Sequence, residues 1–138
     1  MLMRTGGAEV ETLLVQNWVT ANTTSTGVTG VFPIPTTQSS ASWLDLGDYE
    51  DIVVYLDVRQ VTGSINMTYT TAPSRQEQSF LTLVPPFAMA TGLRVDRVLA
   101  SYAFVPPARF FRWSILSTVS GTGGATFRIW VAAYRFGE

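Results

Sequence analysis

Two aromatic and β-branched runs near the end of the chain, Arg109-Phe110-Phe111-Arg112-Trp113-Ser114-Ile115-Leu116 and Ala125-Thr126-Phe127-Arg128-Ile129-Trp130-Val131-Ala132-Ala133-Tyr134, constrain the fold most. Both alternate with a period of two. Phe111, Trp113 and Ile115 share one side of the first run, and Phe127, Ile129, Val131 and Ala133 share one side of the second, as extended strands require. Gly121-Thr122-Gly123-Gly124 lies between them and reads as a turn, so the two runs are expected to pair as a β-hairpin with Trp113, Ile115, Phe127 and Ile129 in the core. Their opposite sides mix Phe110, Leu116, Trp130 and Tyr134 with Arg112 and Arg128. Strands of this kind suit a sheet with one side in a core and the other covered by a loop or a neighbouring subunit.

The remaining chain carries shorter signals of the same type. Val10 to Val19 is rich in β-formers. Trp43 to Leu46 reads as a short strand before an acidic turn, and Ile52, Val54, Leu56 and Val58 mark one side of a central strand. After a turn at Val61-Thr62-Gly63-Ser64, Ile65, Met67 and Tyr69 point inward and Asn66, Thr68 and Thr70 outward, as in a hairpin with one wet face. Further strands are expected at Ser79 to Val84, stopped by Pro85-Pro86, and at Leu93 to Tyr102. No stretch carries a helical stripe or an internal repeat. The fold class expected is all-β: one antiparallel β-sandwich, jelly-roll-like, of about eight strands. Residues 1–42 are expected to form a first strand plus a Thr/Ser/Pro-rich arm, and residues 43–138 the sandwich core of one overall domain. Pro33 and Pro35 cannot donate to a ladder, so the apolar island holding Phe32 and Ile34 is expected to order against a partner or to act as a tether.

Composition narrows the function. With no cysteine and no histidine among 138 residues, disulfides, thiolate metal sites and His-based acid–base or nucleophilic systems are excluded. No enzyme activity and no cofactor are expected. Net charge is −1, which provides no global basic field for nucleic acid. All nine basic residues are arginine, the cation enriched at interfaces because its planar fork pairs with carboxylates and stacks on rings. The amino terminus has no apolar run after its first charge, and no run approaches the roughly 20 residues of a membrane-spanning helix. A soluble protein made inside a cell is expected.

Four local groupings could carry chemistry. Asp45, Asp48, Glu50 and Asp51 are the best oxygen cluster for a hard cation such as calcium, although the EF-hand spacing is missing and Asp favours turns for its own reasons. Their adjacency on a turn does not set two carboxylates across a sugar ring. Gly121-Thr122-Gly123-Gly124 lacks the lysine and helix of a phosphate loop. Arg109, Arg112 and Arg128, interleaved with Phe110, Trp113 and Trp130, could form a stacking platform for single-stranded nucleic acid, or could cover rings and pair with carboxylates. Trp18, Trp43, Tyr69 and Trp130 are candidates for stacking a sugar, each also fitting a packing role.

The line Trp43-Leu-Asp-Leu-Gly, Val54-Tyr-Leu-Asp-Val-Arg, Thr71-Ala-Pro-Ser-Arg-Gln-Glu-Gln-Ser-Phe, Phe111-Arg-Trp and Phe127-Arg-Ile-Trp-Val resembles small β-sandwich proteins of tailed bacteriophage virions, the capsid decoration and minor head proteins. The resemblance spans about the last two thirds of the chain and is one of general pattern. It implies a non-enzymatic structural protein of the virion, assembled in the host cytoplasm, that decorates or stabilises a capsid through protein–protein contacts with the major capsid or another virion protein. From the residues themselves, self-association as a homo-oligomer is expected, with Phe32, Ile34, Arg109, Arg112, Arg128 and Trp130 as interface residues. The alternative is a carbohydrate-binding β-sandwich module serving host attachment.

Overall fold

Alternation becomes burial along residues 52–58 and 65–69. In a computed structural model, which describes residues 8–25, 35–47, 49, 51–98, 107–118 and 121–136, the described residues form nine strands. These are β1 (Ala8–Ser25), β2 (Thr36–Thr37), β3 (Leu44–Asp45), β4 (Asp51–Thr62), β5 (Ile65–Ala72), β6 (Leu81–Ala88), β7 (Gly92–Val98), β8 (Phe110–Ser117) and β9 (Gly121–Phe136). The only helical pieces among them are short 3-10 turns at Ser40–Ser42 and Glu77–Ser79. Ile52, Val54, Leu56 and Val58 of β4 are buried while Val53, Tyr55 and Asp57 between them are half-buried, and Ile65, Met67 and Tyr69 of β5 are buried as expected.

The strands make two antiparallel sheets. The first has the order β1-β9-β4-β7; the second has β2-β8-β5-β6, with β3 continuing the β2 edge farther along β8. Except for β2 to β3 and β5 to β6, every step along the chain passes from one sheet to the other. This interleaving is that of a jelly roll, and it brings the inward sides of both sheets together over one core. Leu46, Ile52, Met67, Phe111, Phe127 and Ile129 are fully buried there.

That topology corrects the expected hairpin of the two terminal runs. Both are strands, but β8 lies in the second sheet and β9 in the first. Their inward sides meet across the interior, where Trp113 and Phe127 pack edge to face with ring centroids 4.9 Å apart. The glycines are not the turn. Gly123 and Gly124 are ladder residues of β9, opposite Thr23 and Asn22 of β1, with Gly124 also opposite Thr62 of β4. A Cβ on Gly123 would lie 2.7 Å from both Ile65 Cδ1 and Thr62 O, and one on Gly124 would lie 2.6 Å from Ala21 O. Close approach of neighbouring backbone, not turning, demands glycine here. The turn around Gly63 (φ 78°) likewise carries the chain from β4 across to β5 instead of closing a hairpin. A tight arch between sheets and a hairpin leave the same alternation in sequence, because both place the apolar side of each strand on the core.

Two strand ends also differ from expectation. β6 continues through Pro85-Pro86 to Ala88, which an edge strand tolerates, and register shifts in its pairing with β5 absorb the missing donors. β1 continues past Val19 to Ser25, its threonines paired along β9; the Thr20 and Thr126 hydroxyls are 2.8 Å apart. Gln38 is buried and ties the β2 edge down. Its Nε2 donates to Val15 O (2.9 Å) and Ser42 O (2.7 Å), its backbone N–H donates to Trp113 O (3.0 Å), and its carbonyl accepts from Trp43 Nε1 (3.1 Å).

Candidate functional site

The outer side of the first sheet departs most from an ordinary solvent-facing surface. Register places Leu14 of β1 opposite Trp130 of β9, Trp130 opposite Tyr55 of β4, and Tyr55 opposite Val95 of β7. One row therefore crosses all four strands without a charged residue. Leu14 is 57% exposed and Val95 48%, with Val10 and Leu93 on the same side at 51% and 61%. Single exposed apolar residues are commonplace; a contiguous set on one flat sheet marks an interaction surface.

A ladder of rings and guanidinium groups runs through this row. Arg59 Cζ sits 4.4 Å from the Trp18 ring centre, Arg128 Cζ is 4.8 Å from Trp18 and 4.6 Å from Trp130, and Trp130 stacks on Tyr55 at 5.9 Å with 12° between planes. Two bulges in β1, between Leu14 and Gln16 and between Gln16 and Val19, turn Trp18 to the outer side while Val15 stays in the core. Asp57 lies opposite Arg128, its carboxylate 3.8 Å from Nη2. A shallow hollow of about 340 Å³ lies among Thr12, Leu14, Arg128 and Trp130.

The other arginines singled out from sequence sit elsewhere. Arg112 lies under the 73–80 loop on the second sheet and is 9% exposed. Its Nη2 contacts Glu77 at 2.5 Å, its Nε donates to Thr70 Oγ1 at 3.1 Å, and its plane covers Phe80 at 3.9 Å. The guanidinium, donating a hydrogen bond to Glu77, holds that carboxyl below its ordinary range. Arg109 is at the rim, paired with Asp45 (Nη2–Oδ2 3.1 Å). Asp45 is likewise held low, chiefly by the Arg109 hydrogen bond and then by the Gly47 N–H. So Arg128 and Trp130 come together, and Arg109 and Arg112 are separated from them and from each other.

Asp45 is thus committed to Arg109, and Asp51 belongs to β4; Asp48 and Glu50 lie outside the described residues, as do Phe32 and Ile34. No cluster of metal-ligating side chains occurs among the described residues. Two of the four sugar-stacking candidates take the packing role. Tyr69 is fully buried by its inward position and Trp43, 8% exposed, is covered on the outer side of the second sheet by Phe80 and Arg112, whereas Trp18 and Trp130 remain half-exposed. Burial also raises the Tyr69 hydroxyl pKa well above the ordinary tyrosine value. Trp113, the middle ring of the supposed nucleic-acid platform, is core. Sequence reasoning missed Leu14, Tyr55, Arg59 and Val95. The outward Val53 and Tyr55 of an otherwise alternating β4 were the available signal.

The class defined by these sheets is a jelly-roll β-sandwich with an aromatic and aliphatic outer side that no loop covers among the described residues. No family model matches the sequence, and no curated protein matches it. Among solved structures, the fold is similar to a chain of the infectious bursal disease virus Gx strain structure, at 10% identity and a TM-score of 0.53. The match covers 94% of this chain and 33% of the other, so this chain spans about a third of its neighbour's length. The likeness is one of fold: a β-sandwich also present in a virus structure. Among the described residues no helix is long and apolar enough to cross a membrane.

Proposed function

We propose that this chain is a non-enzymatic structural protein of a virus particle, a jelly roll that decorates or stabilises a bacteriophage capsid by docking the outer side of its first sheet on another virion protein. The observation that carries this reading is the Leu14–Trp130–Tyr55–Val95 row, continuous across four strands and exposed at both ends. Hydrophobic burial of such a row is favourable by roughly 25 cal/mol per Å², and Arg59 and Arg128, spread over rings, add planar donors at its edge. The fold shared with a virus chain supports the location. Phe32 and Ile34 are further apolar anchors on sequence grounds.

The Trp130–Tyr55 stack, a flat pair of rings beside a hollow, favours one second reading, a carbohydrate-binding module for host attachment. The test is co-banding of the chain with capsids on a density gradient when both are produced in one cell, alongside a glycan-binding screen. The wild-type chain is expected on particles and a folded Trp130→Ala variant at reduced occupancy. Absence of the wild-type chain from particles, with saturable glycan binding lost in Trp130→Ala, would replace the capsid reading with the carbohydrate one.

A further inference from the structure

An edge strand presents unpaired N–H and C=O groups that join another chain unless something blocks them. Three of the four sheet edges here are blocked. β1 carries two bulges. β6 contains Pro85 and Pro86 and slips register twice against β5. The edge beyond β8 consists of two separate pieces, β2 and β3, interrupted by the 3-10 turn at Ser40–Ser42. β7 has no bulge, proline or break, and its inward-side charges, Arg94 and Asp96, are paired with each other. It pairs with β4 in unbroken register from Ile52↔Val98 to Val58↔Gly92, contains no proline, and its other side meets no strand among the described residues.

We propose that β7 pairs antiparallel with β7 of a second copy about a two-fold axis at Val95, joining the two first sheets into one. The strand is complementary to its own reverse. In this register Arg94 faces Asp96 of the second copy, Asp96 faces its Arg94, and Val95 faces Val95, giving the isologous contact that a two-fold requires. Centring the axis on Arg94 or on Asp96 would instead set like charges directly opposite, which is destabilising. Arg94 and Asp96 are already held at this edge, bonded Nε to Oδ2 at 2.8 Å, with Arg94 lying 3.6 Å over the Phe87 ring.

The opposite side of the strand fits the same pairing. Leu93 and Val95 are both largely exposed. In this register Val95 faces Val95 and Leu93 faces the aliphatic stem of Arg97 of the second copy, and the contact carries the Leu14–Trp130–Tyr55–Val95 row through the axis into the second copy. This inference rests on the reading of the chain as an assembling protein and names how two copies meet.

The test is sedimentation equilibrium of the 138-residue chain over a range of concentrations, with thermal melts showing that each variant is folded. A dimer is expected. Asp96→Arg should weaken it by roughly tenfold or more through like-charge juxtaposition, the double variant Arg94→Asp/Asp96→Arg should restore it, and Val95→Lys should weaken it independently. A wild-type mass of 15.1 kDa at every concentration overturns the pairing, whether or not the chain bands with capsids. A dimer indifferent to both Asp96→Arg and Val95→Lys also overturns it. A dimer that responds as expected but never bands with capsids supports the pairing and refutes only the capsid reading.

Discussion

The two outer faces of the sandwich are built from strands of the same alternating kind and end up with opposite surfaces. The second sheet turns Thr37, Asn66, Thr68, Thr70, Thr82 and Ser114 outward, and its apolar-and-arginine patch around Arg112 lies beneath a loop of its own chain. There Arg112, Phe80, Trp43 and Glu77 close on one another: Trp43 and Phe80 pack edge to face at 4.7 Å, and Arg75 Nη1 reaches Ser40 O at 3.0 Å to hold the loop. The first sheet places Arg128 between Trp18 and Trp130 in the same chemical arrangement, with no loop over it among the described residues. An arginine set among aromatics is thus a clasp on one face and an open surface on the other. Coverage, not composition, separates the two.

The largest expected effect lies beneath both faces. Ile129→Ala should cost about 2–5 kcal/mol of unfolding free energy in urea titrations, because the side chain is fully buried and leaves a cavity under both sheets. A loss below about 1 kcal/mol would mean the faces do not share one core. Next, Gly124→Val should cost about 1–3 kcal/mol by driving a side chain into β1; unchanged stability would return these glycines to the role of a turn.

The comparison itself is tested by a matched pair. Arg112→Met should lower stability by about 1 kcal/mol, since it removes the Thr70 bond and the Glu77 pair, whereas Arg128→Met should change stability by no more than about 0.5 kcal/mol. Equal losses would erase the distinction between clasp and open surface. Acid sharpens the same point. Glu77 and Asp45 have folded pKa values below their unfolded ones, so the stability they contribute is present above the unfolded carboxylate range and is lost as pH falls through the folded values. Melting temperature should therefore drop below about pH 4, with a shallower drop in Glu77→Gln. Identical acid profiles for that variant and the wild type would remove Glu77 from the clasp. Smallest of all, Leu14→Ser should leave stability within about 0.5 kcal/mol while reducing docking in co-banding measurements.

Much of the fold was legible because a period of two needs no partner to be seen. Ile52 to Val58, Ile65 to Tyr69 and Phe127 to Ala133 each declared which side would be buried, and the all-β class follows from their sum. Pairing was not legible. Gly121-Thr122-Gly123-Gly124 resembled a turn because glycine serves both turning and close approach, and only neighbours distant in sequence, Ala21, Thr62 and Ile65, distinguish the two. The surface was half legible for the same reason. Arg128 and Trp130 are two residues apart on one strand, so their shared side could be read directly. Leu14, Tyr55 and Val95 join them only through the ladders of four strands.

The sequence by itself determined that this chain is an antiparallel β-protein with a large core and without the residues of His- or Cys-based chemistry. Both properties are local: alternation decides what each strand buries, and residue types decide which reactions are open. Only the tertiary structure decided which strands are neighbours, that β8 and β9 face each other across the core instead of pairing, and that one arginine is clasped while another lies open. Those outcomes depend on contacts between segments far apart in the chain, where each strand's apolar side can be satisfied by either sheet and the packing of the nine described strands together selects the arrangement.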